Sequence, residues 1–480
     1  MAFISMQGIS LAFSNVPLFD GVNLTIERGE KVGLVGRNGS GKSTLLRLIE
    51  GSVKPDSGAV SVQKGVRSAY LSQEVPHELL GTVFDVVASG SREYVDLITR
   101  SPFQSARLIH EGTPPLYEEL DRVHHNLDME GVGYKREQVS KSLSQLGVDA
   151  GRAFSSLSAG LKRQVLLKRA LVGEPDILLL DEPTNHMDID SIKELEQMMV
   201  RFTGALIFVT HDRMFLQRIA TRIVEIDRGR LFDQTCDYET FLVRRSADRE
   251  AEETKNALFD RKLQQEEHWV RGGIKARRTR NEGRVRELEK MREMRRSRRD
   301  RPGTAKMEAQ EAERSGTLVA KADNIGFNYG DTQVISKFST TILKGDRIGI
   351  LGPNGSGKTT LLRLLLGMLS PVTGTILLGT NLQISYSDQL LEQLDENKTA
   401  IENVGDGNDT VTVNGKIRHI VGYLQDFLFS PDQARSLVSV LSGGERKRLM
   451  LAHLFTQPSN LLVLDEPTNG LDSETLDLLE

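Results

Sequence analysis

Two segments of this chain carry the residue types that hold phosphate groups. The first is Gly36-Arg37-Asn38-Gly39-Ser40-Gly41-Lys42-Ser43, followed by Thr44; the second is Gly352-Pro353-Asn354-Gly355-Ser356-Gly357-Lys358-Thr359, followed by Thr360. Glycines at these places let backbone N–H groups converge on a β-phosphate with no Cβ in the way. They do so at the start of a helix, where anions are favoured. Lys42 and Lys358 would neutralise β and γ oxygens, and the hydroxyls of Ser43 and Thr359 would ligate Mg2+. A glycine turn that merely opens a helix seldom reproduces the full GxxxxGK[ST] spacing.

Each copy also offers aliphatic residues ending in two acids, Leu178-Leu179-Leu180-Asp181-Glu182 and Leu462-Val463-Leu464-Asp465-Glu466. A buried strand that delivers Asp at its end places a carboxylate beside Mg2+, and the adjacent Glu can polarise an attacking water. A plain acidic turn would not explain why the pair recurs, followed each time by Pro-Thr-Asn. Duplicated chemistry of this kind predicts a tandem ATPase that uses ATP and Mg2+.

The elements that must position these groups are legible on either side. Strand-like runs precede the loops, Lys31-Val32-Gly33-Leu34-Val35 and Arg347-Ile348-Gly349-Ile350-Leu351, and helix-like runs follow at Thr44–Ile49 and Thr360–Leu365. Strand, glycine-rich loop and helix form the context in which the motif carries meaning. Further apolar strands at Ile177–Leu180, Leu206–Val209 and Leu461–Leu464 predict a largely parallel sheet under helices.

Lys42 and Lys358 are 316 positions apart (358 − 42), and the same offset relates Phe13 to Tyr329 and Gln73 to Gln389. Ser158 and Ser442 differ by 284, as do Asp181 and Asp465, so the first copy holds 32 extra residues (316 − 284). That insertion is placed within residues 89–134, a polar stretch containing Pro102, Pro114, Pro115 and the pair His124-His125. It reads as a solvated arm, with no metal assigned to the histidines.

The 480 residues suffice for two core-bearing domains and a connector. No run of eighteen apolar residues predicts a membrane span, and Met1-Ala2-Phe3-Ile4-Ser5-Met6 lacks the features of a secretory signal. The lone Cys236 fits a reducing cytoplasm. A net charge of −4 hides an asymmetry: Arg271 through Arg301 carries fourteen Lys and Arg against five Asp and Glu. That segment is charged +9 (14 − 5) on a body of −13 (−4 − 9), which points to a localised contact with polyanion.

From about Ser246 to Glu313 the chain is charged and helix-forming. Two helices are predicted, broken near Gly272-Gly273, the second ended by Pro302-Gly303, with Val285, Leu288, Met291 and Met294 as its apolar stripe. Charge runs are usually solvated spacers. Here Arg277-Arg278-Thr279-Arg280 and Arg295-Arg296-Ser297-Arg298-Arg299 favour arginine over lysine, which suits phosphate recognition better than solubility alone.

Two further segments carry a resemblance. Leu157-Ser158-Ala159-Gly160-Leu161-Lys162-Arg163-Gln164 and Leu441-Ser442-Gly443-Gly444-Glu445-Arg446-Lys447-Arg448 look like signature sequences of ATP-binding cassette (ABC) ATPases. Asp181 through Asp188 (Asp-Glu-Pro-Thr-Asn-His-Met-Asp) is similar to the hallmark of the ABC-F family, and the stretch from Trp269 to Arg286 resembles its Uup branch. The resemblance covers essentially the whole chain.

It implies an α/β fold of two tandem P-loop ABC-type nucleotide-binding domains joined by a basic helical linker. The expected boundaries are 1–244, 245–315 and 316–480. Two cassettes would close head-to-tail within one monomer, each ATP held between one phosphate loop and the other signature. The first site would combine Lys42, Ser43, Gln73, Asp181, Glu182 and His211 with Ser442, Gly443 and Gly444. The second would combine Lys358, Thr359, Gln389, Asp465 and Glu466 with Ser158 and Gly160. Phe13 and Tyr329 match positions that stack on adenine, and His211 matches the switch histidine that contacts the γ-phosphate. Mg2+ would be held by Ser43, Gln73 and Asp181 in one site and by Thr359, Gln389 and Asp465 in the other.

Two departures stand out. Ala159 replaces the first glycine of a signature pair, which is expected to weaken the second site. The sequence stops at Glu480, before any counterpart of His211 (211 + 284 = 495), and reads as a truncated chain without the family's final core strand or a C-terminal DNA-binding extension.

The leading functional expectation is an ATPase acting on the ribosome, its linker set against tRNA and rRNA through Arg271, Lys275, Arg277, Arg278, Arg280, Arg284 and Arg286. The alternative is an ATPase acting on branched DNA. The ATPase subunit of a membrane transporter is a weaker third reading, because such cassettes rarely carry this connector.

Overall fold

The structure, a computed structural model, describes residues 2–13, 17–73, 75–76, 79, 81–91, 132–144, 146–271, 278–297, 316–386, 394–405, 407–413, 416–465 and 475. The first copy runs β1 (Ala2–Leu11), β2 (Phe19–Glu27), β3 (Lys31–Val35), α1 (Lys42–Glu50), β4 (Ser57–Val62), β5 (Ser68–Leu71) and α2 (Val83–Ala88). It continues through α3 (Val132–Ser144), α4 (Ala159–Val172), β6 (Ile177–Asp181), α5 (Ile189–Arg201), β7 (Ala205–Val209), α6 (Arg213–Ile219), β8 (Arg222–Asp227) and β9 (Arg230–Gln234). Most of the expected insertion, 92–131 with both histidines, lies outside the described residues.

A six-stranded sheet of order β5-β6-β7-β3-β8-β9 forms the centre of this copy, parallel except for β9. Its central strands β6 and β7 are buried at every position and almost wholly apolar because both faces are covered. Leu178 and Leu180 of β6 face a core shared with α2, α4, α5 and α6. Ile177 and Leu179 face a second core shared with α1 and the antiparallel sheet β2-β1-β4. All four side chains are fully buried, each stabilising the sheet by roughly 1.5–3 kcal/mol.

The connector forms α7 (Tyr238–Arg271) and α8 (Arg278–Ser297), flanking the expected break. Leu288 and Met291 of the apolar stripe are buried, whereas Met294 is exposed. Arg292 pairs with Glu267 at 3.0 Å and Arg295 with Asp260 at 3.1 Å. Part of the basic charge is therefore matched between the two helices and not displayed outward.

The second copy comprises β10 (Leu318–Tyr329), β11 (Thr332–Leu343), α9 (Lys358–Leu365), β12 (Thr373–Leu378), β13 (Ile384–Tyr386) and α10 (Ala400–Gly405). It ends with β14 (Thr410–Val413), β15 (Lys416–His419), α11 (Ile420–Asp426), α12 (Pro431–Ala434), α13 (Gly443–Thr456) and β16 (Leu461–Val463). The antiparallel sheet β11-β10-β12 repeats β2-β1-β4. One expectation is corrected here: Arg347–Leu351 forms no strand, and Leu351 is 83% exposed. In the first copy β3 is held on both sides by β7 and β8, whereas among the described residues no strand pairs with Arg347–Leu351. Without pairing partners the apolar run stays extended and unladdered.

Candidate active site

The parallel sheet brings four loops to one edge. Val209 pairs with both Leu34 and Asp181, and Leu71 pairs with Leu180, so β3, β5, β6 and β7 end in register. The phosphate loop, Ser72-Gln73, Asp181-Glu182 and Thr210-His211 therefore meet at the carboxyl ends of the strands, where ligands bind in open α/β sheets.

Gly36 sits at φ +149°, and a Cβ there would lie 2.6 Å from the Ile226 carbonyl oxygen. Only glycine fits. Gly41 (φ +102°) and Gly357 (φ +91°) cap α1 and α9 without side-chain hydrogen bonds, leaving the first-turn N–H groups for a ligand. Lys42 Nζ donates to the carbonyls of Gly36 (2.7 Å) and Arg37 (3.0 Å). Lys358 does the same with Gly352 and Pro353, both at 2.9 Å, so the two loops share one geometry.

Asp181 is buried, and burial pushes its carboxyl above the ordinary carboxylate range, opposed by the hydroxyls of Ser43 and Tyr70 and by Lys42. Tyr70 Oη donates to Oδ2 at 3.2 Å, while Oδ1 has no hydrogen-bond partner among the described residues. An unsatisfied buried carboxylate oxygen beside a serine at the head of a phosphate loop suits a hard divalent cation such as Mg2+. The second copy repeats the arrangement: Thr359 Oγ1 donates to Asp465 Oδ2 at 3.0 Å and Tyr386 Oη to the same oxygen at 3.4 Å. When bound, the cation would polarise phosphate oxygens; these residues supply its oxygen ligands.

Glu182 is 5% exposed and held at φ +48°, an uncommon backbone state for a non-glycine residue. Burial raises its carboxyl to about 7, opposed chiefly by Lys42. His211 Nε2 lies 3.2 Å from Oε1, and the His211 N–H donates to Oε2 at 3.3 Å. A base acts only when deprotonated, so ATP turnover should rise with pH through about 7 and fall roughly tenfold per unit below it. A pH–rate profile of the full chain checks this; a flat profile from pH 5.5 to 8 would exclude Glu182 as the base. The linkage sign is the reverse of a salt-bridged acid. With its carboxyl raised to about 7 from the ordinary 4.5 of a glutamate, Glu182 makes the protein less stable as pH rises through that interval.

The copies meet head-to-tail. Ser158 caps α4 and Ser442 caps α13, each directing the positive end of its helix at the other copy. A Cβ on Gly160 would lie 2.4 Å from Asn354 Nδ2, and one on Gly444 would lie 2.2 Å from Asn38 Nδ2. Asn354 Nδ2 donates to the His186 carbonyl at 2.7 Å, and its backbone N–H donates to Asp188 Oδ2 at 3.1 Å. The first phosphate loop thus meets the second signature, and the second loop the first. The close approach falls on the second glycine of each pair. A Cβ on Gly443 meets no atom within 4 Å and Ala159 is exposed, so the protein itself leaves room for the Ala159 methyl.

Phe13 (71% exposed) and Tyr329 (52%) project from the surface, and the Gln73 side chain is exposed. Gln389 and Glu466 lie outside the described residues, as do Lys275, Arg277 and the side chains of Arg271, Arg278, Arg280 and Arg284. Arg286 is exposed. Sequence reasoning missed Tyr70 and Tyr386, although their 316 offset (386 − 70) was there to find. It also missed Arg163.

A family model described as ABC transporter matches residues 19–185 and 335–469, and a second of the same description matches 224–309. The ATP-binding protein Uup of Escherichia coli K12 is 47% identical over 480 residues, 100% of this chain and 76% of that protein. The chain belongs to the Uup branch of the ABC-F family. Uup of Haemophilus influenzae is 46% identical over 480 residues, covering 100% of this chain and 74% of the relative. Within ABC-F, the Energy-dependent translational throttle protein EttA of Mycobacterium tuberculosis H37Rv is 35% identical over 483 residues, 99% of this chain and 85% of that one. This ABC-F chain is therefore an ATP-binding ABC ATPase of two α/β cassettes. Among its described residues no helix is long and apolar enough to cross a membrane.

Proposed function

We propose that this ABC-F protein hydrolyses ATP with Mg2+ at its two head-to-tail sites and uses the cycle to set its basic linker against tRNA and rRNA on the ribosome. It works in the cytoplasm as a monomer whose cassettes pair within the chain. ATP contacts both copies, so it binds the closed arrangement more tightly and shifts the population toward it.

The observation that carries this reading is where α7 is rooted. Arg245 on its second turn is buried against β8, paired with Glu225 and with Asp227 at 3.0 Å, and stacks on the Phe232 ring at 4.6 Å. Arg249 reaches Glu225 at 3.4 Å, and Arg228 joins Glu252 of α7 at 2.6 Å. Glu225 pairs in register with Val35, the last residue before the phosphate loop. A movement of the nucleotide-binding sheet is thereby delivered to the base of the long helix that leads into the basic segment Arg271–Arg301. The likeness to a protein named a translational throttle directs that helical lever toward the translation machinery.

Cosedimentation of the full chain with purified ribosomes, with and without ATP, tests the reading, with branched DNA as competitor. ATP-dependent ribosome binding that DNA does not displace is expected. Retention on DNA with no ribosome pelleting would favour the DNA-directed alternative and overturn the proposal. Replacing Arg277, Arg278 and Arg280 with Ala should reduce the log–log salt slope of binding by roughly 3, about one unit per lost phosphate contact.

A further inference from the structure

Arg163 is 2% exposed and, among the described residues, is the bulkiest of the fully buried side chains. Its guanidinium makes four hydrogen bonds, all to backbone carbonyls. Nη1 donates to Ser72 and Gln73, both at 2.6 Å; Nη2 donates to Glu182 at 2.7 Å and to Asp181. Burial disfavours the charge, so this cation persists only because directed acceptors replace its water. The planar fork suits the task, since it spans two loops that a point charge would serve singly.

The same helix makes the contact with the other cassette. Gly160, three residues before Arg163, packs on Asn354 of the second phosphate loop, about 4.5 Å away along the axis of α4. One turn of helix thus separates a wall of the second nucleotide site from the carbonyls that flank the candidate base of the first. In the second copy the 284 offset places Lys447 at this position (163 + 284), and the buried arginine is the next residue, Arg448, 5.8 Å over the Phe429 ring.

We propose that Arg163 is a positioning residue that couples the two sites. Engagement of the second site by the N-terminus of α4 fixes, through this guanidinium, the backbone of Asp181-Glu182 and Ser72-Gln73 in the first. The inference rests on the reading that these sites bind and hydrolyse ATP.

A double-mutant cycle on the full chain tests it, reading both the hydrolysis rate and the affinity for mant-ATP. Lys358→Ala disables the second phosphate loop. Independent, equal sites would lose no more than about twofold in rate, whereas coupling of usual size changes first-site turnover or affinity by about 5- to 150-fold. Arg163→Met should lower turnover by itself by roughly 10- to 100-fold, and adding Lys358→Ala to it should then change little. The proposal is overturned if Lys358→Ala costs the otherwise unaltered chain no more than its own site. It is equally overturned if the full Lys358→Ala effect persists beside Arg163→Met. Should Arg163→Met fail to fold, as judged by its melting transition, Arg163→Lys serves instead. Its ammonium cannot span both loops, so a variant that melts normally should still lack the coupling; restored coupling would mark a purely structural role. A chain that binds mant-ATP but hydrolyses nothing would remove the functional reading alone, with the affinity cycle still deciding the coupling.

Discussion

Glu182→Gln is expected to lower ATP turnover at the first site by about 10²- to 10⁴-fold while leaving nucleotide bound. The substitution preserves size and one hydrogen-bond acceptor but removes the basic oxygen. The carboxylate is buried, lies 3.2 Å from His211 Nε2, and is raised to about 7, where a general base combines adequate basicity with a usable deprotonated fraction. The grip of Arg163 is on the Glu182 backbone carbonyl, and the amide oxygen of the glutamine can still accept from the His211 N–H, so the loop should keep its shape. Combined with Glu466→Gln, the change should trap ATP and, with it, stable ribosome association. Single-turnover hydrolysis and ribosome pelleting measure the two effects. Unchanged turnover together with no stable pelleting in the double variant would remove both the assigned base and the proposed cycle.

Arg245→Ala should destabilise the first cassette by about 3–5 kcal/mol, the usual cost of leaving buried acids without their cation. Glu225 is nearly as buried as Arg245, and after the substitution it keeps only the longer contact to Arg249. The Phe232 ring would lose its stacked guanidinium as well. A fall of roughly 10 °C in the cassette's melting transition is the expected reading. Replacing surface-paired Lys193 instead, whose contact to Asp190 is 3.6 Å between exposed side chains, should cost no more than about 0.5 kcal/mol. A loss for Arg245→Ala as small as that for Lys193→Ala would mean that the root of α7 contributes little, and that the lever is loosely attached.

Much of the site was legible because its parts are local. A glycine-rich loop, a lysine and a hydroxyl act within eight consecutive residues, so their spacing alone limits what they can hold. The strands β3, β6 and β7 were equally plain, since burial on both faces demands unbroken apolar runs. The failure at Arg347–Leu351 has the complementary cause: apolar character makes a strand possible, but ladder partners make it real, and those of β3 come from distant segments.

The expected weakness of the substituted signature also needed the fold for its judgement. From sequence, both glycines of the pair look equivalent. In space, Gly160 and Gly444 abut the opposing asparagines, whereas a Cβ on Gly443 meets no protein atom within 4 Å, so the Ala159 methyl does not obstruct the contact between the copies.

By itself the sequence determined the duplicated chemistry, the α/β class, the basic connector and the family, because each is written in contiguous motifs or in a repeat offset. The tertiary structure decided which groups act on one another. It placed Tyr70 on Asp181, buried Arg163 among four carbonyls and seated Arg245 between two acids of β8. Tyr70 and Asp181 lie 111 residues apart in the chain, Arg163 lies 90 and 91 residues from two of its carbonyls and 18 and 19 from the others, and Arg245 lies 18 from Asp227. Only the register of the parallel sheet and the packing of α4 and α7 on it bring them within hydrogen-bonding distance, and no periodicity in the sequence encodes that proximity.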